Sequence, residues 1–410
     1  MLQDLVYGRI PESPNSKNQT CNMFSISTFQ ELLKGLPRQT FDKLVKQRNA
    51  DKYTKKFGHW QHLIVMLYAQ LSGVSGLRPL TIGFNSLESH HYHLDAVPIT
   101  RSTLSDANSK RPDAVFSDTA AWLMRQVSSK LRSDSAELMY LLDSTSLTLK
   151  GRHFEAWTKK NRTRNTQGIK VHVLLDTATD APDWYSFSAA NVNDIQKAWE
   201  VPLRQGALYV FDKGYCDYSW WHAIDQAKAL FVTRFKKNAG LKVVKQREIP
   251  ANAAGVVLKD EIVQLKHKRP GGRDNPYVTK LRRIEIARPD KATPLVLATN
   301  DLESSALDIA QRYKERWGIE LFFKWVKQHL KIKKFLGETE NAVRIQVLTA
   351  LISYLLVALY KQRHGIKESL WECLVLVSQT LFQRRTTEAA RCRRQRRHRE
   401  EMARVQPRLF

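Results

Sequence analysis

The sequence predicts an α/β protein: a mixed sheet flanked by helices, preceded by a helical region and interrupted by an all-β insertion. Three observations carry this expectation. Apolar residues recur at helical spacing from Phe24 to about Leu131, and from about residue 139 the period changes to strands and then to strands alternating with helices. Residues 236 to 298 read as strands joined by charged turns, with no helix evident, and long helices return after Asn300 and run to about Phe382.

The helical part opens with "STFQELLKGLPRQTFDKLVKQ", and "FGHWQHLIVMLYAQLSG" is a helix ending at Gly73. In "ITRSTLSDANSKRPDAVFSDTAAWLM", Ser102 is the expected N-cap of a short helix that stops at Pro112, with another helix beyond. That short polar helix carries Arg101, Ser102 and Asn108, and it is a candidate recognition helix in a helix-turn-helix arrangement. The histidine cluster "SHHYHLD" (89–95) lacks partner cysteines or carboxylates at metal spacing and is expected to be a surface loop.

The core strands expected are "MYLLDSTSLTLK", "GIKVHVLLDTAT", "WYSFSAAN", "GALYVFDKGY" and "LFVTRF", with a partial helix at "NDIQKAWEVPL" and a full one at "DYSWWHAIDQAKA". The insertion holds "LKVVKQREI", "GVVLKDEIVQLKH", "YVTKLRRIEIAR" and "PLVLATN". The domain division is then 1–135 helical, 136–235 core, 236–300 insertion, 301–382 the rest of the core, and 383–410 a basic tail expected to be disordered.

Charge narrows the function. Lys and Arg number 66 against 40 acidic residues, a net charge of +26 over 410 residues. Such a surface favours polyanions, because neutralising phosphates releases condensed counterions. Nucleic acid leads and an anionic membrane surface is second. The first residues, "MLQDLVYGRIPESPNSKNQTC", have no signal-peptide pattern, and the apolar run 347–360 reads as a buried helix because a span needs about 20 residues. The isolated Cys21, Cys216, Cys373 and Cys392 suit an intracellular protein without structural zinc or a disulfide framework.

Three carboxylates attract attention. Asp143 lies inside an apolar strand and Asp212 ends another, and a buried aspartate is costly unless it is paired or ligates a metal. Asp176 also ends a strand, but turn residues follow it and a local hydrogen-bonding role is expected. The third is Glu320 in "YKERWGIELFFKWVKQHLKIKKFLG". At about 100° per residue, Arg316, Glu320, Lys324 and Lys327 share a narrow polar stripe on a helix that is otherwise apolar. Three clustered carboxylates do not all stay ionised without a cation. Hard divalent ions, Mg²⁺ or Mn²⁺, resolve this, and two of them ~3.5–4 Å apart serve phosphoryl transfer.

These residues resemble a known family. Tyr313, Arg316, Glu320 and Lys327 match the Y-x2-R-x3-E-x6-K signature of a group of bacterial insertion-sequence transposases in the DDE superfamily. That group is related to the cut-and-paste, hairpin-forming transposases. "LLDSTSL" and "VFDKGY" are similar to its other two blocks, and the likeness runs from about residue 20 to 382. The resemblance implies an RNase H-like core with Asp143, Asp212 and Glu320 as catalytic metal ligands for two Mg²⁺ ions (Mn²⁺ substituting). It implies phosphate contacts from Arg316 and Lys327, with Tyr313 supporting the same strand; Lys324 joins them on the stripe. The partners implied are DNA, both the element's terminal inverted repeats and a target, and a second copy of the chain, with no membrane and no small-molecule substrate, in the bacterial cytoplasm at the nucleoid. Hairpin formation in the better-known relatives uses an insertion-domain tryptophan to stack a flipped base. No tryptophan lies between Trp221 and Trp317 here, so Tyr277, Trp317 and Trp325 are the candidates, and a different hairpin step stays open. Two other functions also stay open: an RNase H-fold nuclease without strand transfer, and a non-catalytic DNA-binding regulator.

Overall fold

The computed structural model describes residues 26–133, 137–161, 166–266, 274–289, 291–329 and 334–383. Cys21, Cys392, Leu330, the middle of the "RPGGRDNP" turn and the tail beyond Gln383 lie outside the described residues. The first helix, α1 (Thr28–Leu33), starts where the Ser27 hydroxyl accepts the Gln30 amide hydrogen. After α2 (Arg38–Gln47), α3 (His59–Ser72) begins at Gly58 and stops at Gly73, whose φ of 69° favours glycine. Gly58 answers a steric need: a β-carbon there would lie 3.0 Å from Asp51 Oδ2.

Next come α4 (Leu77–Asn85), the one-turn α5 (Glu88–His91), α6 (Arg101–Lys110) and α7 (Ala114–Leu131). The N-cap of α6 is Thr100, which accepts from Thr103 N, rather than the expected Ser102; Ser102 lies within the helix with its side chain exposed. The histidine cluster is not all surface loop. His91 is buried, stacked on Phe84 at 4.3 Å between ring centroids, with Nε2 2.9 Å from Phe84 O.

The sheet begins with β1 (Met139–Thr148), β2 (Lys159–Asn161), β3 (Thr166–Asp176) and β4 (Ala181–Ala189), all antiparallel where they pair. The short α8 (Asp194–Ala198) leads to β5 (Leu208–Phe211), α9 (Tyr218–Gln226) and β6 (Leu230–Arg234). β1, β5 and β6 pair in parallel, so the order β4-β3-β1-β5-β6 is the RNase H-like arrangement. Phe211, Trp220 and Trp221 are fully buried where α9 covers β5, and truncating any of them to alanine would cost about 3–5 kcal/mol.

The expected insertion contains β7 (Leu241–Gln246), β8 (Val257–Leu265), β9 (Leu281–Ile286) and β10 (Leu295–Thr299). It does not form a separate sheet. β10 pairs antiparallel with β6, and the strands continue as β10-β9-β8-β7 into one ten-stranded sheet. α10 (Ala306–Glu315) and α11 (Trp317–His329) follow, separated at Arg316 where the long helix read from sequence is interrupted.

The chain ends in α12 (Glu340–Arg363) and α13 (Leu370–Gln379). Its described residues divide into two compact units, one of those up to 119 with those from 345 on, and the other of those between 120 and 344. The C-terminal helices therefore group with the N-terminal ones, in contrast to the division at 301–382 expected above. Contacts within that unit give the reason: Phe29 N donates to Leu381 O at 2.8 Å, Arg363 Nη1 donates to Glu31 O at 3.0 Å, and Gly35 lets Leu356 approach. α12 is long and apolar enough by length and composition to cross a membrane, but 94% of its apolar window is buried inside the protein.

Candidate active site

Strand register brings the first two carboxylates together. Leu142 on β1 pairs with Phe211 on β5, so the next residues, Asp143 and Asp212, end up side by side. Side chains alternate along a strand, and Leu142 and Phe211 both enter the core cluster beneath α9. Asp143 and Asp212 thus occupy the other face. α11 covers that face, where Gly318 allows close approach: a β-carbon there would lie 3.3 Å from Leu141 Cδ1. Glu320, two residues further along α11, joins the aspartates.

Two guanidinium groups hold this constellation. Arg316 Nη2 donates to Glu320 Oε1 at 2.6 Å, and its Nη1 lies 3.6 Å from Asp143 Oδ2. Arg234, at the end of β6, donates through Nη2 to Asp212 Oδ1. Ser144 N donates to Asp143 Oδ1 at 2.7 Å. The buried Tyr313 ring lies 5.9 Å from the Arg316 guanidinium.

The three carboxylates are not electrostatically equivalent. Burial pushes Asp143 up to about 6; Asp212 and Glu320 add to this, against the Ser144 amide and the Arg316 charge. Asp212 is pushed up by burial too, but the Arg234 hydrogen bond and charge hold it below the ordinary carboxylate range. A Mg²⁺ or Mn²⁺ ion fits this donor set in chemistry: the ligands are oxygen only, and burial disfavours the ionised Asp143 beside two other carboxylates, which a divalent ion would offset. As the side chains stand, no group of three carboxylate, histidine or cysteine ligands among the described residues is drawn close enough to hold an ion. The two arginines occupy carboxylate oxygens instead.

A second polar cluster lies behind the site, and sequence reasoning misses its members. Asp194, at the start of α8, accepts from Ser144 Oγ at 3.1 Å and from Lys170 Nζ at 2.9 Å. Lys170 is 9% exposed and also donates to Val192 O. A β-carbon on Gly214 would lie 3.8 Å from Asp194 Oδ2, so Asp194 touches both segments that carry the aspartates, Asp143–Ser144 and Asp212–Gly214. Burial, with the charges of Asp194 and Asp143, raises the Tyr215 phenol well above its ordinary range. The only signal in the sequence is a carboxylate opening a short helix after "NVN", which any N-terminal turn carries.

Other expected site residues fare differently. Lys327 is half-buried, Lys324 exposed and Trp317 58% exposed, and Leu321 on the apolar part of the helix is 50% exposed. Trp325 is half-buried. Tyr277 is 1% exposed with its hydroxyl 3.4 Å from Asp225 Oδ1, so it does not present a face to a flipped base. Asn108 is also removed as a DNA contact: it is 1% exposed, and its Oδ1 lies 2.7 Å from His62 Nε2. Arg101 and Ser102 are exposed on α6. Asp176 is a structural residue, buried against Arg132 at 2.6 Å. Cys216 and Cys373 are buried and in no disulfide.

Residues 135–356 match the family model described as "Transposase DDE domain", and residues 25–95 match one described as a domain of unknown function, DUF4372. A putative transposase of Sinorhizobium fredii is 43% identical over 69% of this chain and 77% of its own length. A probable transposase for the insertion sequence element IS5377 of Geobacillus stearothermophilus is 30% identical over 54% of this chain and 56% of its own. Among solved structures, a piggyBac transposase synaptic complex with hairpin DNA aligns over 96% of this chain and 88% of that one, at 12% identity and a TM-score of 0.47.

Proposed function

The chain belongs to the DDE transposases of insertion sequences, and we propose on that basis that it cuts DNA at its own element's ends and joins them to a target. The single observation that carries this reading is the register that sets Asp143 beside Asp212 under the helix that brings Glu320. The three carboxylates would hold Mg²⁺ or Mn²⁺, two ions per site, which supply Lewis-acid activation of the attacking oxygen and stabilisation of the leaving one. Arg316 and Arg234 keep the carboxylates charge-compensated and oriented. Tyr313 packs beneath Arg316 and fixes its direction. Lys324 and Lys327, further along α11, face the DNA backbone that approaches the site.

The chemistry proceeds in two kinds of step. Water attacks the scissile phosphorus and the 3′ oxygen leaves with a proton, freeing a 3′-hydroxyl. That hydroxyl then attacks a phosphorus of the opposite strand and displaces the flanking 3′-oxygen, which leaves with the proton, giving a hairpin; water reopens it to the same 3′-hydroxyl, which attacks a target phosphorus and displaces a target 3′-oxygen. With Tyr277 buried, exposed Trp317 is the better-placed aromatic to stack an extruded base. The protein works as a dimer on paired ends, in the bacterial cytoplasm.

The test mixes full-length protein and Mg²⁺ with a duplex bearing the element's terminal inverted repeat. Expected are nicks at the 3′ ends, then hairpins and joined products, with Glu320→Gln inactive by at least about 10³-fold, as loss of an essential catalytic group commonly costs. Nicking without joined products would reduce the reading to a nuclease. Equal nicking by Glu320→Gln would overturn it.

A further inference from the structure

The helical unit carries a charged face that the catalytic site does not use. We propose that residues 43–56, from the end of α2 to the turn before α3, form a duplex-DNA contact surface in which lysines hold phosphates and Tyr53 meets the groove or a base. This deepens the transposase reading and rests on it.

Charge is the first argument. Lys43, Lys46, Lys52, Lys55 and Lys56 are all exposed, and none pairs with a described carboxylate. Arg48, by contrast, is engaged by Asp118. The acids nearby are occupied: Asp42 accepts from Arg38 Nε at 2.8 Å, and Asp51 accepts from His59 N and lies 2.6 Å from His59 Nδ1. The charges of the stretch that no described partner neutralises are therefore cations, which suits a phosphate backbone.

Tyr53 adds an aromatic to these cations. It is 87% exposed and stands between Lys52 and Lys55 in the chain, with Lys52 Nζ 5.5 Å from the ring centroid. An aromatic among cations is the combination that contacts bases and backbone together.

The segment is also held in place. Asn49 takes a left-handed φ of 50° and turns the chain back, and Asp51 ties its end to the start of α3. Arg111 ties the same end: it donates to Gly58 O at 3.0 Å and to Phe57 O, with its guanidinium 5.2 Å from the Phe57 ring. These ties at its end, with Arg48 held by Asp118, lower the ordering cost of binding. By contrast α6, the recognition helix expected from sequence, commits Asn108 to the interior and pairs Lys110 with Asp106. The matching domain of unknown function includes this basic stretch and ends before α6.

The experiment measures binding of the full chain to a fluorescent terminal-repeat duplex from about 50 to 300 mM salt. In the Lys46→Gln/Lys52→Gln/Lys55→Gln variant, the slope of log affinity against log salt should fall by about 2.7, three contacts at ~0.9 each. Tyr53→Ala should weaken binding by about fivefold or more with the slope unchanged, the signature of stacking rather than charge. A triple variant with wild-type slope and affinity overturns the proposal. So does loss of binding to phosphatidylserine vesicles with DNA binding untouched, which would assign the face to a membrane surface. Wild-type protein that neither binds nor nicks the duplex overturns the transposase reading as well. Wild-type protein that nicks, alongside an unaffected triple variant, overturns this surface alone.

Discussion

Replacing Asp143 with asparagine removes a charge that the fold holds at a cost. The carboxyl rises from 3.8 to about 6 in the folded protein, a difference worth about 3 kcal/mol between its two protonation states. The sign follows from proton linkage. A folded value above the unfolded one means that the native state binds the proton more tightly. Its stabilisation is complete below about 3.8 and is lost as pH rises through about 6. Above that, the ionised group is a net burden in the metal-free protein. Asparagine avoids the burden but no longer offers a charge to the Arg316 guanidinium 3.6 Å away, which takes back about 1 kcal/mol of ion-pair energy. The expected gain is about 1–2 kcal/mol at pH 8, which for a unit of this size is roughly 2–8 °C in melting temperature. Thermal melts in chelator at pH 8 and pH 4 read this directly. Asp143→Asn should melt higher at pH 8 and level with wild type at pH 4. A variant that melts lower at pH 8, or whose gain persists at pH 4, would overturn the electrostatic reading of the site.

Three further outcomes are expected. Asp194→Asn should cost about 2–3 kcal/mol in urea, because the buried Lys170 ammonium loses its countercharge, and should also slow DNA cleavage. Adding Lys170→Met should recover the stability but not the rate, since Ser144 still lacks its charged acceptor; recovery of both would make Asp194 purely structural. Gly58→Ala should lower the stability of the helical unit by about 1–3 kcal/mol, because its β-carbon meets Asp51 Oδ2 at 3.0 Å, and an unchanged melt would contradict this. Glu31 is pushed up by burial, but His364 and Lys34 bring it down to about 2, so its stabilisation is present above 4.5 and lost as pH falls toward 2. Glu31→Gln should therefore flatten the acid limb of a stability–pH curve by about 1–3 kcal/mol, and an unaltered limb would count against these partners.

The three carboxylates stand out in the sequence because each breaks a local rule: two aspartates at apolar strand ends and one glutamate on an apolar helix. Strand register then needs only the parallel pairing of β1 with β5 to align Asp143 and Asp212. The β-rich segment is legible as strands but not as part of the core sheet. What joins it is the pairing of β10 with β6, and no local pattern encodes which edge a returning strand will take. Burial of single polar residues is equally hidden. Asn108 has the look of a base-reading residue on a polar helix, yet His62, distant in the chain, draws it inward. Charged turns surround Tyr277 in the sequence and suggest exposure, yet it packs against Asp225 and His222. Asp194 carries no local signal because its partners, Ser144 and Lys170, come from two other strands.

If Asp143, Asp212 and Glu320 together hold the divalent ions that cut DNA, metal affinity depends on all three. Manganese binding followed by electron paramagnetic resonance, on full-length protein with terminal-repeat duplex, reads this without relying on turnover. Wild type should bind Mn²⁺ tightly, and Asp143→Asn, Asp212→Asn and Glu320→Gln should each weaken binding by an order of magnitude or more while the duplex stays bound. Undiminished Mn²⁺ binding in all three variants would take the metal-holding role away from the triad.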